Sequence, residues 1–468
     1  MPNAIICSMP GEGHVRPLLV VARELLARGW QVRMLTGARY RTLVEESGAH
    51  FVALPAEADT LDAIGADGAR ERGRAAINRG VETAFIAPAP SAGRRLLAML
   101  DEAPADVVLH EPTFLGVQAL HRLSAERRPA VVMCGIIPLG LSSVDTPPFG
   151  LGLAPLPRPW ANRARNRVLG AAATRVVLRP AHRAADRFLA EVGAPPLRGR
   201  FFMDLLDSAD LIAQFTVPEF EFPRSDAPER LRFYGPMAQP DRRDVDLPPW
   251  WDRLDRRRPL VHVTQGTVAN VDLDELVRPT LEALADEDVT VVVTTGGRPV
   301  EDLGEVPANA LVGQFLPYDR LLPRVDVLVT NGGYGGLHHA LRHGVPIVVA
   351  GDSEDKVETS ARVAWSGAGI SLRTGRPRPA QVGDAVRRVL GDPRFAERAR
   401  RIGASIAAAS GPGGFVRDVE ALVAGRHAAG DRASTSWLFT GDLQDPAPPT
   451  AFVTEDGPTS PTSPRNRP

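Results

Sequence analysis

The residues with the clearest chemical potential are Asn331-Gly332-Gly333-Tyr334-Gly335-Gly336. An apolar run from Asp326 to Thr330 reads as a buried strand before them. A helix from about Leu337 to Arg342 follows, and Gly344-Val345-Pro346 stops it. A glycine turn between strand and helix leaves backbone N–H groups pointing outward at the positive end of the helix dipole, which makes an anion site. Four glycines around one aromatic, Tyr334, read as exposed, exceed what a tight turn needs, so phosphate binding is the better reading. Downstream lies the acidic loop Asp352-Ser353-Glu354-Asp355-Lys356, which carries the chain's only lysine. Carboxylates beside a phosphate site repel phosphate, so this loop is expected to face a neutral hydroxyl-bearing group such as a sugar. His14 lies in another glycine-proline turn, Pro10-Gly11-Glu12-Gly13-His14-Val15. By itself a histidine there reads as structural. His338, His339 and His343 share a helix, yet no acid or cysteine stands at metal-ligand spacing to them, so no metal is expected.

The elements that must position these residues alternate strand and helix. Ala4–Ser8, Val32–Leu35 and Phe51–Leu54 read as strands, with helices from about Arg16 to Arg28 and Ala38 to Ser47 between them. The order βαβαβ predicts a doubly wound parallel sheet. A second alternation begins at Leu260–Thr264. The proline-rich charged stretch Pro236–Pro249 separates the two. The fold class expected is α/β, with two Rossmann-like domains facing a cleft. Their ranges are 1–235, a linker at 236–258, and 259–427 with a last helix able to pack back on the first domain. A Ser/Thr/Pro-rich tail at 428–468 is expected to be disordered. Ligands in such sheets bind outside the strand carboxyl ends.

Composition excludes several classes. A net charge of −1 over 468 residues implies no basic face for nucleic acid. Cys7 and Cys134 stand in apolar strand runs and read as buried thiols, which fits a cytoplasmic protein. Neither a secretion signal nor an apolar run long enough to span a bilayer is read in the sequence, so a cytoplasmic protein without stable membrane insertion is the expectation. A monomer or homodimer is expected.

The motifs together resemble the nucleotide-sugar-dependent glycosyltransferases of GT-B architecture and family 1 type, above all bacterial members acting on natural products. The resemblance rests on Pro10-Gly11-Glu12-Gly13-His14-Val15-Arg16-Pro17, Thr264-Gln265-Gly266-Thr267, Phe315-Leu316-Pro317-Tyr318 and the stretch from Val325 through Asp355-Lys356 to Ala361-Arg362-Val363. It covers nearly the whole chain except the tail.

What the resemblance implies is an acceptor domain followed by a donor domain, and inverting transfer to a hydroxyl of a small lipophilic acceptor such as a polyketide, macrolide or phenolic. No cofactor or metal is implied; a UDP-sugar, or a dTDP-sugar, is the co-substrate. His14 becomes the general base and Glu111 its acidic partner, where the family usually has Asp. Gly13, Thr267 and Gly332, Gly333, Gly335 and Gly336 join the donor site, the last replacing a usual hydroxyl. Asn331 replaces a phosphate-binding His, His339 a ribose-binding Glu, and Asp355-Lys356 a sugar-binding Asp-Gln pair. Tyr318 stands where Gln is usual, and Phe315 or Tyr318 is the residue to stack on the base. Pro138–Pro159 and Ala56–Gly80 would line the acceptor pocket.

Three rival readings are set against this one. A metal-dependent Asp-x-Asp transferase is suggested by Asp244-Val245-Asp246 and Asp272-Leu273-Asp274, both incidental by position. A nicotinamide oxidoreductase would need a third glycine where Arg16 stands. A non-catalytic nucleotide-sugar-binding helper is the third.

Overall fold

The computed structural model describes residues 1–60, 74–124, 126–238, 247–254, 257–267, 270–352 and 355–435. Two all-parallel sheets organise residues 1–424, as the alternation predicts. The first contains β1 (Asn3–Cys7), β2 (Gln31–Thr36), β3 (His50–Ala53), β4 (Val107–His110), β5 (Ala130–Gly135), β6 (Leu211–Gln214) and β7 (Leu231–Phe233), in the order β3-β2-β1-β4-β5-β6-β7. The second contains β8 (Leu260–Thr264), β9 (Thr290–Thr294), β10 (Ala310–Gly313), β11 (Val327–Thr330), β12 (Ile347–Val349) and β13 (Gly369–Ser371), in the order β10-β9-β8-β11-β12-β13.

The strands read as unbroken apolar runs because both faces of each sheet are covered. Side chains alternate across the sheet. Thus Ile5 and Cys7 of β1 enter one core, whereas Ala4 and Ile6 enter the other. The same division places Val261 and Val263 on one side of β8 and Leu260 on the opposite side. Cys7 and Cys134 are buried free thiols, and burial pushes both thiols up.

Strand order reverses beside β1 in the first sheet and beside β8 in the second. The crevice beyond the strand carboxyl ends opens at such a switch point. The turns after β1 and β4 carry His14 and Glu111; those after β8 and β11 carry Thr267 and Asn331.

Element boundaries differ from expectation at both glycine turns. The helix α1 spans Glu12–Ala27, so His14 sits in its first turn rather than in a loop before it. Gly11, extended at φ −135°, precedes it, and the Glu12 carboxylate suits the positive helix end. Likewise α2 spans Tyr334–Arg342, which moves Gly335 and Gly336 from the turn into the helix.

A last helix, α3, spans Gly411–Thr435 and so runs into the stretch expected to be disordered, where Ala and Arg residues favour helix. Phe415, Val416, Val419 and Val423 join the core that holds Ala4 and Ile6, and Tyr234 donates to Asp418 at 2.6 Å. Residues 425–468 form a separate unit, of which 436–468 lie outside the described residues. No helix among the described residues is long and apolar enough to cross a membrane.

Candidate active site

β1 and β4 are neighbours in parallel register, with Cys7 opposite His110. Their carboxyl ends therefore deliver the first turn of α1 and the Glu111-Pro112-Thr113 turn to one place. His14 Nδ1 lies 3.3 Å from Glu111 Oε2. The imidazole keeps about a fifth of its surface exposed, whereas the carboxylate has none.

Three donors fix that carboxylate besides His14. The amide of Met9 donates to Oε1 at 3.0 Å, the amide of Thr113 to Oε2 at 2.7 Å, and the Thr113 hydroxyl approaches both oxygens at 2.6 and 2.8 Å. Burial alone would raise the Glu111 carboxyl. The His14 charge and the hydrogen bonds from His14 and Thr113 outweigh it and hold the group below its ordinary value.

Thr113 settles the imidazole tautomer. Its Oγ1 is 3.2 Å from His14 Nδ1. A hydroxyl has one proton, and here it points at the carboxylate, so Oγ1 can only accept from Nδ1–H. With the proton held on Nδ1 by two acceptors, Nε2 carries the lone pair. Gly11 permits the ring position: a Cβ there would stand 2.8 Å from His14 Cδ2.

On the opposite sheet, the turn after β11 has two kinds of glycine. Gly332 has φ +92°, and a Cβ there would meet Val349 Cγ2 at 2.9 Å, so packing and backbone both require glycine. Around Gly333, Gly335 and Gly336 a Cβ would meet nothing within 4 Å. The start of α2 thus opens onto free space, and Gly333 caps it without any side-chain bond. Its leading amides face outward with the helix dipole behind them.

The expected donor residues make contacts of their own within the protein. Asn331 Nδ2 donates to the Gln265 carbonyl at 2.6 Å, tying the ends of β8 and β11 together. The Thr267 hydroxyl donates to Glu12 Oε2 at 3.3 Å, so the turn after β8 meets the start of α1. Gly13, one residue along, is in that same helical turn. Tyr334, expected to be exposed, is buried; Gln214 of β6 donates to its hydroxyl at 3.3 Å. Its neighbour His338 shares a 2.6 Å hydrogen bond with Thr216, and burial lowers that histidine to about 4.

Tyr318 packs edge-on between His262 and His339, with ring centroids at 5.5 and 5.9 Å, and its hydroxyl is 3.3 Å from His262 Nε2. Phe315 is 57% exposed and lies over Gly297. Asp355 precedes the helix Lys356–Ser366, and its carbonyl accepts from the amides of Glu358 and Thr359. Lys356 is buried, its Cβ side against Gly351.

Asp272 caps a short turn and pairs with Arg376, while Asp274 pairs with Arg278. Asp244-Val245-Asp246 lies outside the described residues, as do 61–73 of the expected acceptor segment 56–80 and Ser353-Glu354 of the acidic loop.

The other segment expected to line an acceptor pocket, 138–159, is held at Leu139 and at Gly150 and Gly152 by buried charges. Glu358 Oε1 accepts from the amides of Gly150 and Gly152 at 2.8 and 3.0 Å. Glu221 Oε2 accepts from the amide of Leu139 at 3.0 Å. Arg362 joins these two carboxylates, and Arg224 pairs with Glu221. Thr113 and this network escaped the sequence reading. Thr113 had a local signal, a hydroxyl two residues past an acid. The partners of Arg362 are 141 and 4 residues away, and only the nearer has helical spacing.

The erythromycin biosynthesis protein CIII-like C-terminal domain family matches residues 278–422. The chain is 42% identical to 4'-demethylrebeccamycin synthase of Lentzea aerocolonigenes over 90% of its own length and 99% of that protein's. It is 35% identical to UDP-glycosyltransferase 2 of Phaeomoniella chlamydospora over 86% and 91% of the two chains. Its fold matches the glycotransferase of kitacinnamycin with a TM-score of 0.70, at 22% identity and covering 90% and 100% of the chains. CalG4, the calicheamicin glycosyltransferase, matches with a TM-score of 0.66, at 21% identity over 91% and 98%. The expected family is thereby established, and the nicotinamide oxidoreductase reading falls: this chain is a glycosyltransferase that belongs to the GT-B natural-product enzymes of family 1 type.

Proposed function

We propose that the protein transfers a sugar, with inversion, from a UDP-sugar to a hydroxyl of a small lipophilic natural product. The observation that carries this reading is the His14–Glu111–Thr113 arrangement, with Nδ1 held as a donor at 3.3 and 3.2 Å. An acceptor hydroxyl is a weak nucleophile at neutral pH. Nε2 of His14 takes its proton as the oxygen bonds to the anomeric carbon. Glu111 then stabilises the imidazolium while holding the ring's orientation.

The bond from the anomeric carbon to the diphosphate breaks on the opposite face, which inverts the centre. Charge gathers on the departing phosphate. The outward amides of Gly333 to Gly336 at the start of α2 suit that charge, with open space before them. Asp355 and Lys356, at the start of the next helix, are the residues assigned here to the sugar hydroxyls, a role carried by the family resemblance. Phe315, exposed beyond the end of β10, suits a nucleobase face. The uridine choice is supported by relatives whose names are UDP-glycosyltransferases. One solved relative, a spinosyn rhamnosyltransferase, was captured with thymidine diphosphate, so dTDP-sugars form the second arm of the test.

The test is a donor panel. UDP-glucose and dTDP-glucose are each supplied with mixed aromatic polyketide, macrolide and phenolic acceptors. Mass spectrometry identifies products, and NMR coupling constants give the anomeric configuration. A β-linked product from the α-linked UDP donor is expected. An α-linked product overturns inversion, turnover with dTDP-glucose alone overturns the donor, and donor binding without any transfer favours the helper reading.

A further inference from the structure

Exposed large hydrophobic side chains are concentrated in one stretch. Of the eleven among the described residues, seven lie between Val144 and Val176. Trp160 is 73% exposed and Val168 68%. Only one acid, Asp145, stands in the same stretch, and it is paired with Arg163. Asp and Glu make up 56 of the 468 residues, yet none stands between Asp145 and Asp186, where seven arginines do.

A loop and the helix after it carry six of the seven and are hydrogen-bonded to each other. The helix Pro159–Ala172 turns Asn162, Arg165 and Asn166 inward. Asn162 Nδ2 donates to the Asp145 carbonyl at 2.7 Å and its Oδ1 accepts from the Leu156 amide at 2.9 Å. Arg165 holds the Ala154 carbonyl at 2.9 Å and Asn166 the Val144 carbonyl at 3.2 Å. The loop that carries Leu151, Leu153 and Leu156 is thus pinned against the helix. The outward helix face follows the spacing 160, 163, 164, 167, 168, 171, which is one side of a helix. It presents Trp160, Arg167 and Val168 together. Arg163 on this face is neutralised by Asp145 at 3.0 Å. Arg158, Arg167, Arg175 and Arg179 are exposed and have no carboxylate partner among the described residues.

An indole and several aliphatic side chains among arginines without carboxylate partners, with Asp145 already taken up by Arg163, match an anionic lipid headgroup layer. The ring and alkyl groups enter the acyl boundary, and guanidinium groups snorkel to phosphates. We propose that the outward surface of residues 144–176 docks the protein on an anionic phospholipid bilayer. The attachment is peripheral, since no described helix can span a membrane. It does not depend on which sugar or acceptor the enzyme uses.

Sedimentation of the full chain with unilamellar vesicles tests this. Vesicles of phosphatidylcholine with about 30% phosphatidylglycerol should bind it at least about tenfold more tightly than pure phosphatidylcholine, and salt at about 0.5 M should release it. The pair Arg167→Glu with Arg175→Glu should weaken binding about 100-fold, and Trp160→Ser with Val168→Ser about tenfold or more. Both variants should keep transfer to a small acceptor in lipid-free solution, which shows that they are folded. Failure of the wild type to bind the anionic vesicles overturns the proposal, as does undiminished binding by both variants. A wild-type dimer that the same substitutions dissociate, without vesicle binding, assigns the surface to a second copy and overturns it as well.

Discussion

Glu221 and Arg362 stand 141 residues apart in sequence and meet at 2.9 Å, both fully buried, where the first sheet's loops touch the helix Lys356–Ser366. Glu221 belongs to the loop after β6, and Arg362 to the helix that begins at Lys356. Arg362 also holds Glu358 at 2.9 Å and lies 4.2 Å over the Phe222 ring. Burial of Arg362 works against its charge, but Glu221 and Glu358 outweigh burial and hold the guanidinium above its ordinary value.

Removing one charge from such a group leaves others buried without a partner. Arg362→Met should therefore cost about 3–5 kcal/mol of stability, read by urea unfolding. Adding Glu358→Gln should recover part of that loss, whereas Glu221 must stay charged to pair with Arg224. A loss below about 1 kcal/mol in the single variant would show that the pairing is not what joins these elements.

Thr113 acts through its neighbours and is a positioning residue. Thr113→Val keeps the volume but frees Nδ1 of one acceptor and the Glu111 carboxylate of its shortest bond. It should lower kcat about 10–100-fold with KM nearly unchanged and move the acid limb of the pH–rate profile, while Thr113→Ser restores both. Equal losses in the serine variant would mark the methyl contact, not the hydroxyl, as the important part.

Stability should fall with acid in a defined window. Burial lowers His110, His262 and His338 from 6.5 to about 4 in each case. Between these values the unfolded chain binds protons that the native chain refuses. Each histidine's contribution is complete above 6.5 and is lost as pH falls toward 4, at up to about 1.4 kcal/mol per pH unit. Glu111 and Glu221 are likewise held below the ordinary carboxyl value and extend the loss to more acid pH. Melting temperature should decline steadily from pH 6.5 to 4; a flat profile there contradicts the buried neutral histidines.

Much of this was legible in the residue order. Parallel strands covered on both faces announce themselves as unbroken apolar runs, and glycine turns at their ends locate the crevice. Gly335 and Gly336 were placed in a turn because glycine opposes helix, yet here they begin one that opens onto free space. Tyr334 reads as a surface residue; its partner Gln214 lies in the other half of the chain, and local spacing carries no trace of it. The roles of Asn331 and Thr267 were hidden for the same reason. Their hydrogen bonds join turns of different strands, one to the Gln265 carbonyl and one to Glu12.

The account rests on His14 as the base. The most direct test is His14→Ala, with product formation and donor binding measured on the same preparation. Transfer should fall about 10³–10⁴-fold while calorimetric affinity for the nucleotide sugar stays within about threefold. A variant that keeps more than about a tenth of wild-type turnover would contradict the assignment.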